Sequence, residues 1–173
     1  MKVIKSELLF DGRLKGVRYH LENAEGRRYT HETIEHPGAV VILPIDRNGA
    51  VVCVSQYRHS LGQDILELPA GTLEKDEPIV ECAQRELAEE IGMVAKEIVS
   101  LGILYPAPGF CNEVQHLFLA RGLVSKTATP DEDEDISVVP LSVCDFEESI
   151  RNGKLNDAKS ISLFMRARLL GLV

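Results

Sequence analysis

Residues 71–93 read GTLEKDEPIVECAQRELAEEIGM. Gly71 is followed after five residues by Glu77, and seven more lead to Arg85-Glu86-Leu87, Glu89-Glu90, Gly92 and Met93. Ile79, Cys82, Ala83, Leu87 and Ile91 recur at helical spacing and predict a helix with one apolar face. Asp76 is the expected N-cap, Pro78 belongs to the first turn, where a missing N–H does no harm, and Gly92 is the expected stop. On that helix Glu86, Glu89 and Glu90 stand at i, i+3 and i+4, so their carboxylates crowd one side and repel. They also lie toward the C-terminal end, where the helix dipole disfavours negative charge. Arg85 is spaced to pair with Glu89 and to reach Glu77, which leaves Glu86 and Glu90 for cations. Carboxylates gathered in this way imply divalent metal and a phosphate-bearing substrate.

Working outward, 173 residues with a 45% apolar fraction fit one globular domain with a small appendage. No run approaches the ~20 apolar residues of a membrane span, and the opening MKVIKSELLFDG is too acidic for a signal peptide. A cytoplasmic protein without membrane or nucleic-acid partners is expected. The net charge of −8 opposes general binding to nucleic acid, and it means that a phosphate ester bound here needs cations between it and the protein. Cys53, Cys82, Cys111 and Cys144 form no CxxC pair and read as reduced thiols. The five histidines lack zinc-ligand spacing, so oxygen ligands point to Mg2+ or Mn2+.

Before the helix the chain reads as strands. Val17–Glu22 and Arg27–Ile34 alternate around Ala24-Glu25-Gly26 as a hairpin, and His36-Pro37-Gly38 marks a boundary. Residues 1–36 are therefore expected to form an N-terminal β-hairpin region, and 37–173 the main domain. Val40–Ile45 and Ala50–Ser55 are β-branched runs on either side of Asp46-Arg47-Asn48-Gly49, a hairpin signal between strands buried on both faces. Leu66-Glu67-Leu68 is a further short strand. After the helix, strands are predicted at Ile98–Leu104, Val114–Leu119 and Ile136–Leu141. A helix capped by Ser142 runs to Asn152, and an amphipathic helix covers Asp157–Leu170. The order predicts an α/β sandwich with a mixed sheet, and the short hairpin connections argue against an all-parallel Rossmann arrangement.

Asp131-Glu132-Asp133-Glu134-Asp135 is a second acidic cluster. Read alone it is a solvated loop. Read with the helix it is a source of a general base and of one more metal ligand. Divalent cations that activate water and polarise phosphoryl oxygens suit hydrolysis of a phosphoanhydride.

The 71–93 stretch matches the Nudix box at every defining position, and the chain is similar to the Nudix hydrolases, which cleave nucleoside diphosphates linked to another moiety. Segments outside the box resemble the ADP-ribose pyrophosphatase branch: His36-Pro37-Gly38-Ala39-Val40, Gln56-Tyr57-Arg58, Leu66-Glu67-Leu68-Pro69-Ala70-Gly71 and Pro106-Ala107-Pro108-Gly109-Phe110, with Pro108 about fifteen residues past the box. The resemblance implies a Nudix-type α/β/α sandwich with a mixed sheet, preceded by an antiparallel hairpin. It assigns metal to the Ala70 carbonyl, Glu86, Glu90 and Glu134, and the catalytic base to Glu132, with Glu89 the rival for either role. It assigns substrate contacts to Arg58 and Glu113, and the terminal ribose to the Pro108-Gly109 loop. It further implies a homodimer in which the hairpin is exchanged, so that Arg13 and the His31-Glu32 pair reach the partner's adenosine site. Two departures stand out: Cys111-Asn112 replaces the commoner Ser-Asp type pair before Glu113, and tryptophan is absent.

The leading expectation is Mg2+- or Mn2+-dependent hydrolysis of ADP-ribose to AMP and ribose 5-phosphate. Another nucleoside diphosphate sugar or dinucleotide (GDP-mannose, ADP-glucose, NADH or FAD) keeps the chemistry and changes the substrate. A non-catalytic nucleotide sensor is the reading from a different class, and the intact set of box carboxylates speaks against it.

Overall fold

A computed structural model describes residues 1–126 and 136–173. The acidic segment with Glu132 and Glu134 lies outside the described residues.

The core is built on strands that alternate between two apolar faces. β4 (Ala39–Pro44) is buried along its whole length, as a strand covered on both sides must be. It pairs in parallel with β9 (Gln115–Ser125) and antiparallel with the short β7 (Ala70–Thr72). β8 (Met93–Leu104) completes a mixed four-stranded sheet in the order β7-β4-β9-β8. A second sheet, β10-β5-β6, joins Ile136–Leu141, Val51–Arg58 and Gln63–Glu67. Val40, Ile42, Val52, Val54 and Phe118 pack with Cys82, Leu87 and Ile91 of α1 (Ile79–Ile91). Their neighbours Val41, Leu43, Val51, Cys53 and Leu117 face the other way, onto α2 (Val143–Arg151) and α3 (Ala158–Leu169). This period-two division makes the α/β/α sandwich.

The turn at 46–49 forms as predicted. Asp46 Oδ1 accepts from the N–H groups of Asn48 and Ala50, both at 2.8 Å, and Gly49 takes φ 80°. The strands it joins do not stay paired, however. They share one bridge, Ile45 to Val51, and then part into the two sheets. Strands buried on both faces find apolar neighbours on either side, so a tight turn does not compel a continued ladder.

The N-terminal region is larger than the hairpin expected. β1 (Lys2–Asp11), β2 (Lys15–Glu22) and β3 (Arg28–Glu35) form an antiparallel three-stranded sheet, with β1 supplying the strand beyond the hairpin. The sheet is tied to the body where Ile34 exchanges backbone bonds with Phe110 and Asn112, at 2.7 and 3.1 Å. Val3, Ile4, Leu8, Leu9 and Phe10 of β1 are exposed in the single chain.

Candidate active site

α1 carries the acidic cluster, and its boundaries decide where that cluster stands. Gly92 ends the helix in the left-handed region, φ 66°, with its N–H bonded back to the last turn. The start departs from expectation: Pro78 occupies the N-cap, no side chain caps it, and Asp76 lies in the loop with φ 61°. The Pro78 ring fixes its φ at −64°, and the stretch before it is secured by Glu77 and Arg85.

Arg85 organises the cluster. Its Nε and Nη2 grip the Glu77 carboxylate at 2.8 and 3.0 Å, and Nη1 reaches Glu89 at 2.9 Å. Nη2 also donates to the Thr72 carbonyl at 3.2 Å, which fastens the loop to the helix. The guanidinium holds Glu77 well below the usual carboxylate range, at about 2, and Glu77 in turn raises the pKa of Arg85. Contrary to the expectation that Arg85 would leave Glu86 for cations alone, Nη1 also bonds Glu86 Oε1 at 2.7 Å. Adjacent carboxylates on a helix lie within the reach of one planar fork, and Arg85 bridges two of them.

Glu86 and Glu90 are 8% and 7% exposed, one turn apart on the face toward the sheet. Glu90 Oε2 accepts from the Ala70 N–H at 3.2 Å. Gly71 leaves room for the other carboxylate: a Cβ there would fall 1.7 Å from Glu86 Oε1. Any side chain at 71 would displace Glu86. Buried, hard oxygen donors gathered beside the Ala70 backbone, in a place hollowed out for a carboxylate, fit a divalent cation such as Mg2+ or Mn2+. Among the described residues no group of three or more His, Cys, Asp or Glu makes a complete metal cage.

The cluster opens onto a polar cleft of about 450 Å3, lined by Arg13, Arg58, Ala70, Glu86 and Glu113 among others. Five of the residues singled out in the sequence thus meet in one place. Arg13, on the β1–β2 connection, lines the cleft of its own chain. Glu113 accepts from Gln115 Nε2 at 2.8 Å. Glu90 stands behind Ala70, and Glu89 faces the outer groove of α1. Of the residues expected to contact substrate, three do not line the cleft of the single chain, among them Glu32, which was expected at the partner's site. Pro108 and Gly109 are exposed and do not line it, and Glu32 pairs with Arg18 at 2.6 Å on the N-terminal sheet.

A second polar group emerges that the motif reading assigned no role. Glu67, 1% exposed, accepts from Arg58 Nε and Nη2 at 2.7 and 2.8 Å and also binds Lys159. Lys159 reaches Asp157 at 3.0 Å and lines the same cleft. Glu67 raises the pKa of Arg58 and locks its fork in place. A carboxylate between two leucines at the end of a strand was the available signal, since a buried charge requires partners. One of those partners, Lys159, lies on α3, 92 residues away in sequence, and no local pattern points there.

The model of the NUDIX domain matches residues 35–164. The chain belongs to the Nudix family. Within it, this Nudix hydrolase is 35% identical over 164 residues to the ADP-ribose pyrophosphatase of Bacillus subtilis (strain 168), covering 92% of this chain and 88% of that protein. It is 36% identical over 165 residues to the methanol dehydrogenase activator of Bacillus methanolicus, with the same two coverages. A crystal structure of an ADP compounds hydrolase superposes with a TM-score of 0.86 at 22% identity, covering 99% of this chain and 96% of that one. That likeness bears on the fold of this Nudix hydrolase. No helix among the described residues is long and apolar enough to cross a membrane.

Proposed function

We propose that the protein hydrolyses the pyrophosphate bond of ADP-ribose, releasing AMP and ribose 5-phosphate. The observation that carries this reading is the 35% identity to an ADP-ribose pyrophosphatase across 92% of the chain. It is joined by a cleft lined by Arg13, Arg58 and the box glutamate Glu86. Glu86, Glu90 and the Ala70 carbonyl would hold Mg2+ or Mn2+, with Glu134 as a further ligand. The bound cations would neutralise the diphosphate and lower the pKa of the attacking water. Arg58, clamped by Glu67, presents a fixed guanidinium to the diphosphate. Glu113 accepts from sugar hydroxyls, and Arg13 lies against the nucleoside, with the Pro108-Gly109 loop and Glu32 as outer contacts in the assembled enzyme. Glu132 takes the proton from the attacking water, and Glu89 is the alternative base.

The enzyme would work as a homodimer in the cytoplasm. The first point rests on the exposed apolar residues of β1, the second on four cysteines that are all free thiols. On this reading residues 1–36 form the dimerising region and 37–173 the catalytic domain. The deciding experiment is kcat/KM with Mg2+ across ADP-ribose, ADP-glucose, GDP-mannose, NADH and FAD. ADP-ribose should lead, with AMP and ribose 5-phosphate as products. Preference for another member of the panel would replace the substrate and keep the chemistry. Nucleotide binding without turnover of any of them would instead make the protein a sensor.

A further inference from the structure

Residues 67–70 run between Arg58 and Ala70 of the cleft, and each is tied to another element. Glu67 is bonded to Arg58 on β5, the Pro69 carbonyl accepts from Ile42 N–H of β4 at 2.9 Å, and Ala70 N–H donates to Glu90 on α1. Between them, Leu68 N–H is fully enclosed and needs an acceptor. It finds the hydroxyl of Ser160, at 2.7 Å.

Ser160 is 0% exposed, and its own geometry is closed. The hydroxyl accepts from Leu68, so its proton goes to Asp157 Oδ2, 2.5 Å away. The same oxygen accepts from Ser160 N–H and from Lys159, both at 3.0 Å. Asp157 therefore does more than cap α3. It orients the hydroxyl that fixes Leu68, and it shares Lys159 with Glu67.

We propose that Ser160, oriented by Asp157, is a positioning residue of the hydrolytic site, setting the spacing between the Arg58 clamp and the Ala70 backbone through Leu68. The inference rests on the assignment of Ala70 to the metal shell and Arg58 to the diphosphate. Neither Ser160 nor Asp157 needs to touch the substrate. Ser160 acts on Ala70 through Leu68, two residues before it, one step further out than a direct partner of a metal ligand, whose loss costs roughly 10–100-fold in metal affinity or activity.

The test compares wild type, S160A and S142A. Ser142 caps α2 through Asp145 N–H at 3.1 Å and does not line the cleft, so S142A is a matched loss of a helix-end hydroxyl. Binding of Mn2+ alone is followed by electron paramagnetic resonance. Steady-state kinetics on ADP-ribose are measured well below each melting temperature, on whichever panel substrate wild type prefers if that differs. S160A should weaken Mn2+ binding and raise KM, each by roughly 10-fold or more, while S142A lowers only the melting temperature. If S160A does not accumulate folded, S160C, which keeps the volume and a weak acceptor, should move both constants in the same direction. Mn2+ affinity and KM equal to wild type in the folded Ser160 variant would overturn the positioning role and leave the proposed function standing. A wild type that neither binds Mn2+ nor cleaves any panel substrate would overturn both.

Discussion

Two glutamates one helical turn apart are both nearly out of solvent, beside a glycine that leaves space for one of them, and the proposed metal chemistry falls on their oxygens. E86Q and E90Q keep the shape and remove the charge. Each should lower kcat by roughly 10²–10³-fold, the scale on which loss of one charge-stabilising group acts, with unchanged circular dichroism. Glu77 carries a pH-dependent contribution to folding through its pairing with Arg85. Its carboxyl titrates near 2 when folded, against 4.5 ordinarily. A depressed acid contributes stability above about pH 4.5, and that contribution is lost as pH falls toward 2. Thermal melts from pH 6 to 2.5 should therefore show a steep decline for wild type and a flatter one for E77Q, the two curves converging at the acid end. The Arg85–Glu89 pair was legible because helical spacing sets i and i+4 side by side, and Gly92 because a helix ends readily on a residue that accepts positive φ. The bond from Arg85 to Glu86 was not, because spacing alone does not say how one fork divides among three carboxylates.

Among the elements, the apolar runs located β4, β5, β9 and β10, the cap Ser142 located α2, and amphipathic spacing located α3, which Asp157 proves to cap by accepting from Ser160 N–H. What remained hidden was which strands become neighbours. A short turn brings β4 and β5 together, yet their ladder stops after one bridge because each is covered on both sides by other elements. β1 was hidden for a different reason. Its apolar residues stay exposed and show no alternation that would mark a buried face. α2 and α3 meet through Phe146 and Phe164, whose rings stand 4.3 Å apart and are wholly buried. Removing one ring leaves a cavity that rigid neighbours cannot close. F164A should cost about 3–5 kcal/mol in urea unfolding.

For the molecule as a whole, a single chain leaves Leu8 and Leu9 in water, 59% and 43% exposed. If this sheet joins two copies, wild type should sediment as a dimer, and L8D/L9D should sediment as a monomer. Arg13, on the connection after the same strand, makes loss of affinity for the nucleotide a second expected readout. The central pairing of the mixed sheet has one further consequence. Val40 is zipped in parallel to His116, and Leu68 waits for a hydroxyl 92 positions downstream. Closing such distant loops is entropically slow, and little rewards the chain before they close. The acidic segment, 13 residues with no side-chain cap, is too short to hold a helix alone and depends on the sheet it packs against. Acquisition of the native state should therefore wait until α3 is available to close these contacts.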